Sequence, residues 1–277
     1  MTFSERFVHT SQIALNVAEW DAPSPDSPKM ILVHGYGSNW HTWGRVVDKL
    51  SAEFHLFALD LRAMGRSGRL LPASERQTSA DDVTAVISIL SDSPVFLVGH
   101  SYGGWITAAV AAQHPELVSK IVLCEPYTGA QSEVRKQEQV ERHEKRVERA
   151  GQIKAARIPE DLIPMVEARY GGASADSIRR IARMYFELDP VMEAGRPNPR
   201  EDNDTFDGIF TSIECPTLLI RGAVENGGIM SDEEAERVIG LIPDSRDMSW
   251  PRVGHSPHIA RNHDFIRAMK RFYAEAL

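Results

Sequence analysis

Four short runs in this chain are almost free of polar side chains: Met30-Ile31-Leu32-Val33, Val95-Phe96-Leu97-Val98, Ile121-Val122-Leu123-Cys124 and Pro216-Thr217-Leu218-Leu219-Ile220. A strand that is apolar at successive positions offers hydrophobic side chains to both faces, so it belongs inside a sheet covered on both sides. Helical patterns separate these runs. Trp40–Leu50 leads into a strand at His55–Asp60. Thr78–Leu90 places Val83, Val86, Ile87 and Leu90 on one face, with Ser79 set to cap its start and Asp82 three residues on. Tyr102–Gln113 follows the second run, Ser231–Leu241 follows the fourth, and a last strand at Arg246–Trp250 precedes a helix from Asp264 to Ala276. Two leading strands, Arg6–Thr10 and Ile13–Ala18, come before a proline-punctuated loop with Pro23, Pro25 and Pro28. Strand alternating with helix at this spacing predicts right-handed crossovers and an α/β fold with a mostly parallel sheet.

The rhythm stops after Glu125. Between Tyr127 and Thr211 no strand pattern occurs. Glu133–Arg149 is densely charged, with Glu138/Arg142 and Glu141/Lys145 spaced as i,i+4 pairs, and reads as the solvated face of a helix. Pro159–Tyr170 and Ala175–Leu188 read as further helices around Gly171-Gly172, and Gly195–Asp207 as a returning loop. The chain therefore divides into a core of residues 1–126 and 212–277 and a helical cap of residues 127–211 inserted over the sheet.

Composition narrows the role. With 31 basic against 39 acidic residues, the net charge of −8 gives nucleic-acid binding no electrostatic support. Two cysteines, Cys124 and Cys215, cannot build a disulfide framework and read as thiols beside strands. The Met1-Thr-Phe-Ser-Glu-Arg start has no signal-peptide pattern, and no apolar run approaches the ~18 residues of a membrane span. A cytoplasmic location is expected, with no membrane association; a homodimer is compatible with the sequence. There is no HExxH, no clustered Cys/His set and no GxGxxG after a strand, so neither metal nor cofactor is expected.

The chemistry is carried by Gly99-His100-Ser101-Tyr102-Gly103, set between an apolar strand and a small-residue helix. This Gly-x-Ser-x-Gly pattern places serine on a tight strand-to-helix turn, where a Cβ at either flanking position would strike neighbouring backbone. The turn raises the serine Oγ above the carboxyl edge of the sheet, where open parallel sheets bind ligands. The helix start adds free N–H groups and partial positive charge.

With these residues in view, the chain resembles the α/β-hydrolase fold superfamily over all residues outside the 127–211 insertion. The resemblance implies an eight-stranded, mostly parallel sheet flanked by helices. His34-Gly35-Tyr36-Gly37 resembles the family's HGxG segment, which implies that the backbone N–H groups of Tyr36 and Tyr102 form an oxyanion hole. Each such donor is worth ~3 kcal/mol of barrier. Arg62-Ala63-Met64-Gly65-Arg66-Ser67 resembles the family's RGxGxS segment, with Ala63 where glycine is usual.

The family places its catalytic histidine after the last strand, which implies His255 in Gly254-His255-Ser256-Pro257; His258 is its nearest rival among ten histidines. The third member has two candidates. Most of the family carries the acid beyond the seventh strand, at Glu225 here. A minority carries it at the end of the sixth strand, at Glu125. Glu125 is favoured because it ends an unbroken apolar strand with Pro126 fixing the backbone, whereas Glu225-Asn226-Gly227-Gly228 is a longer and looser loop. The Arg169-Tyr170 and Ala175-Asp176 segments also resemble those of amide hydrolases acting on acetamidomethylene-succinate.

The expected activity is a serine hydrolase with a Ser-His-Glu triad, acting on a small-molecule ester, lactone or amide through an acyl-enzyme. Cleavage of a C–C bond in a vinylogous diketone, or a cofactor-free perhydrolase reaction, fits the same residues. A non-catalytic ligand receptor on this fold is the alternative class. Serine at position 101 speaks against alkyl-halide and epoxide chemistry, which in this fold uses a carboxylate nucleophile. Gly35, Trp40, Trp105 and Met230, together with Tyr36, are candidate substrate contacts, against the plainer reading of aromatics near a motif as core. Arg157, Arg169, Arg179, Arg180 and Arg183 are candidates for a carboxylate clamp, against the plainer reading of surface arginines on amphipathic helices.

Overall fold

The computed structural model describes residues 3–69, 76–129, 139–194 and 206–275. Eight strands form one sheet: β1 (Phe3–His9), β2 (Ala14–Trp20), β3 (Lys29–Val33), β4 (His55–Leu59), β5 (Val95–His100), β6 (Val118–Cys124), β7 (Thr217–Gly222) and β8 (Ser245–Trp250). Their spatial order is β1-β2-β4-β3-β5-β6-β7-β8. β2 runs antiparallel to β1 and β4, and the remaining pairings are parallel. This is the α/β arrangement that the apolar runs predict.

The alternation of side chains along the central strands decides the two cores. Met30, Leu32, Phe96, Val98, Val122 and Ile220 face one side, where α1 (Gly44–Leu50) and a C-terminal helix pack. Ile31, Val33, Leu97, Ile121, Leu123 and Leu219 face the other, against α2 (Arg76–Leu90) and α3 (Tyr102–Gln113). Parallel pairing brings Val33 beside Gly99 and His100 beside Cys124, so the carboxyl ends of β3, β5 and β6 meet in one place.

Between β6 and β7 the regular elements of the described chain are helical: α4 (Gln139–Ala155), a 3-10 turn at Pro159–Leu162, α5 (Ile163–Arg169), α6 (Ala175–Phe186), α7 (Pro190–Ala194) and α8 (Asp207–Thr211). α9 (Asp232–Leu241), α10 (Pro257–Ala260) and α11 (Asn262–Ala274) complete the chain, α11 being the C-terminal helix on the first face. Ile153, Leu162, Val166, Ile178, Ala182 and Leu188 from the helical stretch bury their side chains in the same cluster as Trp105 and Met230. The Phe186–Pro190 connection docks on the loops after β3 and β4. Asn39 Nδ2 donates to Glu187 Oε2 at 2.7 Å, and the Asp189 N–H donates to the Ala63 carbonyl at 2.8 Å. The pairs Glu138/Arg142 and Glu141/Lys145, and the loop residues 195–205, involve positions outside the described residues or side chains. Among the described residues, no helix is long and apolar enough to cross a membrane.

Local expectations change, as in the Pro159–Tyr170 stretch, which divides into the 3-10 turn and α5. The stretch from Trp40 divides into a 3-10 turn, Trp40–Trp43, capped by Asn39, and then α1. Ser79 lies inside α2 instead of capping it, since the helix already runs from Arg76. Its Oγ accepts a hydrogen bond from the Tyr102 hydroxyl at 3.1 Å, and Asp82 turns to Arg62. Ala63 does occupy a glycine-like turn, with φ of 65°. The buried Asp60 carboxylate organises that loop, accepting from the amides of Trp40 (2.7 Å) and Arg66 (3.0 Å) and from Asn16 Nδ2 (2.9 Å).

Candidate active site

β5 delivers Ser101 to a turn with φ of 54° and ψ of −115°, and α3 begins at the next residue. Such a conformation costs a non-glycine residue about 1–3 kcal/mol and persists only where its surroundings enforce it. Here the surroundings are specific. The Ser101 N–H donates to the Cys124 carbonyl at 2.9 Å, and the Tyr127 N–H donates to the Ser101 carbonyl at 3.0 Å. The elbow is thereby clamped to the end of β6. A Cβ on Gly99 would lie 2.2 Å from the Gly103 carbonyl oxygen, and one on Gly103 would lie 2.4 Å from the carbonyl oxygens of Val33 and His34. Glycine at both flanks is therefore a packing requirement.

Glu125 stands one residue past β6, also at positive φ (49°), with its own N–H on the Ile220 carbonyl at 2.8 Å. Its side chain is fully buried. Oε1 accepts from the Gly222 N–H at 2.7 Å, and Oε2 accepts from the Ile229 N–H at 2.7 Å. Buried carboxylates require partners of this kind. Oε2 also lies 3.1 Å from His255 Nδ1, while His255 Nε2 lies 3.0 Å from Ser101 Oγ. One imidazole thus bridges the serine and the buried carboxylate. Glu225 sits elsewhere, exposed on a 3-10 turn at Val224–Asn226. Its loop still contributes, because Ile229 at the far end supplies one of the two N–H groups that hold Glu125.

His100 braces the bridging ring. Its Nε2 is 2.7 Å from the His255 carbonyl oxygen. A carbonyl only accepts, so His100 carries its proton on Nε2. Burial, with His258 and His255 close by, holds His100 well below the usual histidine range. His258 is 1% exposed, with Nε2 3.1 Å from Thr42 Oγ1, which separates it from the serine's partner.

Gly35 lies against the elbow: a Cβ there would be 3.1 Å from Ser101 Cβ. Tyr36 follows, and its N–H makes no backbone hydrogen bond among the described residues. The Tyr36 and Tyr102 rings meet edge-on at 6.4 Å, and Tyr102 stacks on Trp105.

Comparison with known proteins assigns the family. The alpha/beta hydrolase fold family matches residues 28–261. The chain belongs to the α/β-hydrolase fold family. It is 29% identical over 268 residues to the 2-(acetamidomethylene)succinate hydrolase of Mesorhizobium japonicum, spanning 91% of this chain and 89% of that protein. The solved structure of E-2-(acetamidomethylene)succinate hydrolase superposes with a TM-score of 0.80 at 22% identity, over 99% of this chain and 100% of the other. The enol-lactonase of Burkholderia xenovorans gives 0.75 at 18% identity, over 98% and 100%. At those identities the two structures show a shared fold.

In this α/β hydrolase the expected substrate contacts separate. Gly35 lies beside Ser101. Trp40 goes to the core: it is 8% exposed, packs on Phe3 and Trp20, and donates from Nε1 to Glu5 at 2.6 Å. Trp105 and Met230 are buried too, Trp105 behind Tyr102. Arg157, Arg169, Arg179, Arg180 and Arg183 are all exposed. Arg179 pairs with Asp176, Arg180 reaches Ser177 and Arg169 lies over the Tyr170 ring, as surface arginines on amphipathic helices do. Two arginines read from sequence as part of a solvated face turn inward instead. Arg146 contacts Tyr36, and Arg149 pairs with the buried Glu193 at 2.7 Å. Their i,i+3 spacing was the available signal, but their partners lie more than 40 residues away.

Proposed function

We propose that this hydrolase cleaves a small-molecule ester, lactone or amide through an acyl-enzyme on Ser101, with His255 as base and Glu125 as the acid that orients it. The supporting observation is the His255 imidazole, placed 3.0 Å from Ser101 Oγ and 3.1 Å from the Glu125 carboxylate. His255 Nε2 takes the Ser101 hydroxyl proton as Oγ attacks the substrate carbonyl carbon. The carbonyl π pair becomes the oxyanion, held by the Tyr36 and Tyr102 amides at ~3 kcal/mol each. Glu125 keeps the Nδ1–H tautomer and stabilises the imidazolium that forms. Collapse breaks the bond to the leaving group, which receives the proton from Nε2. Water, deprotonated by His255, then attacks the acyl carbon and releases the acid and free Ser101.

Within this reading residues 127–211 form the cap over the site. The named relative hydrolyses 2-(acetamidomethylene)succinate, which supports including amides among the substrates to test. The reading is tested by turnover of p-nitrophenyl acetate. Wild-type protein should release p-nitrophenolate, and Ser101→Ala should not; binding without turnover would instead indicate a receptor.

A further inference from the structure

We propose that Arg146 is a positioning residue for the oxyanion loop and that it acts through the Tyr36 hydroxyl. The inference rests on the reading of Tyr36 N–H as an oxyanion donor. Tyr36 lies between Gly35 and Gly37, the latter at φ of +68°. The glycine on either side is free of the Cβ restriction, so the backbone flanking Tyr36 has little intrinsic rigidity. Yet an oxyanion donor is effective only if its direction is fixed before charge develops on the substrate.

The fixing comes from the side chain. The Tyr36 hydroxyl donates to the Met192 carbonyl at 2.5 Å and accepts from Arg146 Nη2 at 2.6 Å. Arg146 in turn donates from Nε to the Glu193 carbonyl at 3.0 Å and from Nη2 to the Met192 carbonyl at 3.2 Å. Its guanidinium carbon lies 5.0 Å from the Tyr36 ring centroid, within cation–π range. The base of this arrangement is firm. The Glu193 carboxylate is buried, accepts from Arg149 Nε at 2.7 Å, and stands 3.4 Å from the Tyr36 hydroxyl. Three segments distant in sequence, the β3 loop, α4 and α7, thus converge on one phenol. The Arg146 Nε and Nη2 donors are committed to these carbonyls and to Tyr36, which favours a tether over a substrate ligand.

A tether of this kind acts on the transition state and leaves ground-state binding alone. The test is steady-state kinetics on p-nitrophenyl acetate for Tyr36→Phe, Arg146→Gln, Arg146→Lys and the Tyr36→Phe/Arg146→Gln double variant. Each is normalised to active sites by the p-nitrophenolate burst, and melting temperatures are taken in parallel. Tyr36→Phe and Arg146→Gln should each lower kcat on the order of tenfold, less than the ~10²–10³ lost when a donor is removed outright. KM should stay within about twofold. The double variant should be no slower than the slower single, because both changes break the same link. Arg146→Lys, which keeps a donor for the phenol, should recover part of kcat. Multiplying losses in the double variant, losses confined to KM, or unchanged kcat with a lowered melting temperature would each overturn the proposal. Activity surviving in Ser101→Ala would instead remove the acyl-enzyme reading beneath it.

Discussion

Glu125 Oε2 and His255 Nδ1 are 3.1 Å apart, although the two residues are separated by 130 positions in the chain. The carboxylate is buried and held by two backbone N–H groups, from Gly222 and Ile229, so it cannot rotate away from the imidazole without leaving those donors unpaired. Glu225, which occupies the commoner place for the acid in this fold, faces solvent.

Glu125→Gln should therefore lower kcat on p-nitrophenyl acetate by on the order of 10³–10⁴, as loss of the tautomer-fixing acid does in other triads. Glu225→Gln should stay within about twofold of wild type. Stopped assays on the two purified variants decide between them. A large loss in the second with none in the first would move the acid to Glu225.

Gly103 carries a different kind of constraint. An added Cβ would lie 2.4 Å from two carbonyl oxygens of the β3 end, neither of which is free to move. Gly103→Ala should cost at least about 1–3 kcal/mol, the range for overpacking, and should also disturb the Ser101 turn. Urea unfolding followed by circular dichroism measures the first effect. Gly151→Ala, at a helical site with nothing within 4 Å of the new Cβ, is the matched control and should be neutral or slightly stabilising.

The parts of this protein legible in its sequence are those fixed by local pattern. Val95–Gly103 shows both a strand and the turn that follows, because apolar continuity and the two glycines are dictated within nine residues. The parallel centre follows from the alternation of strand and helix in the same way, whereas the antiparallel pairing of β2 with β1 and β4 is seen only in the structure. What the sequence hides are contacts whose partners lie far along the chain. Trp40 reads as a wall residue from its nearness to the Gly35-Tyr36-Gly37 loop, but Phe3, Glu5 and Trp20 draw it into the core. Ser79 reads as a cap from its residue type, but α2 begins earlier and the Tyr102 hydroxyl takes its oxygen. Arg146 and Arg149 are hidden among charges whose helical face cannot be assigned until α7 is in place.

Arg62 and Asp82 form a buried two-pronged pair, Nε to Oδ2 at 2.5 Å and Nη2 to Oδ1 at 2.6 Å, with both side chains under 5% exposed. Burial pushes the Asp82 carboxyl up, opposed by the guanidinium. Removing only the arginine leaves a buried carboxylate without its cation, and Arg62→Met should cost about 3–5 kcal/mol. Arg62→Met/Asp82→Leu should recover most of that loss, since the charge needing compensation is gone. Chemical denaturation of the two variants tests this; equal destabilisation in both would show that the pair itself, not the orphaned charge, carries the stability.

The buried histidines should make stability depend on pH. Burial pushes His258 down from 6.5 to about 3, and His34 and His100 are lowered by burial as well. Between pH 6.5 and 3 the unfolded chain binds protons at these sites that the native protein does not, so stability falls as pH drops through that window. Each such histidine contributes up to ~1.4 kcal/mol per pH unit. His258→Phe removes one of them while keeping a ring against Trp43, His100 and Phe265. It gives up the Thr42 contact but also removes Nδ1, which is buried with no partner among the described residues. The two changes oppose each other, so the variant should lie within about 1 kcal/mol of wild type at neutral pH. Its melting temperature should then fall less steeply than that of wild type between about pH 7 and pH 5, above the range where carboxylates titrate. Differential scanning fluorimetry across that interval is sufficient, and parallel curves would show that His258 does not titrate on unfolding.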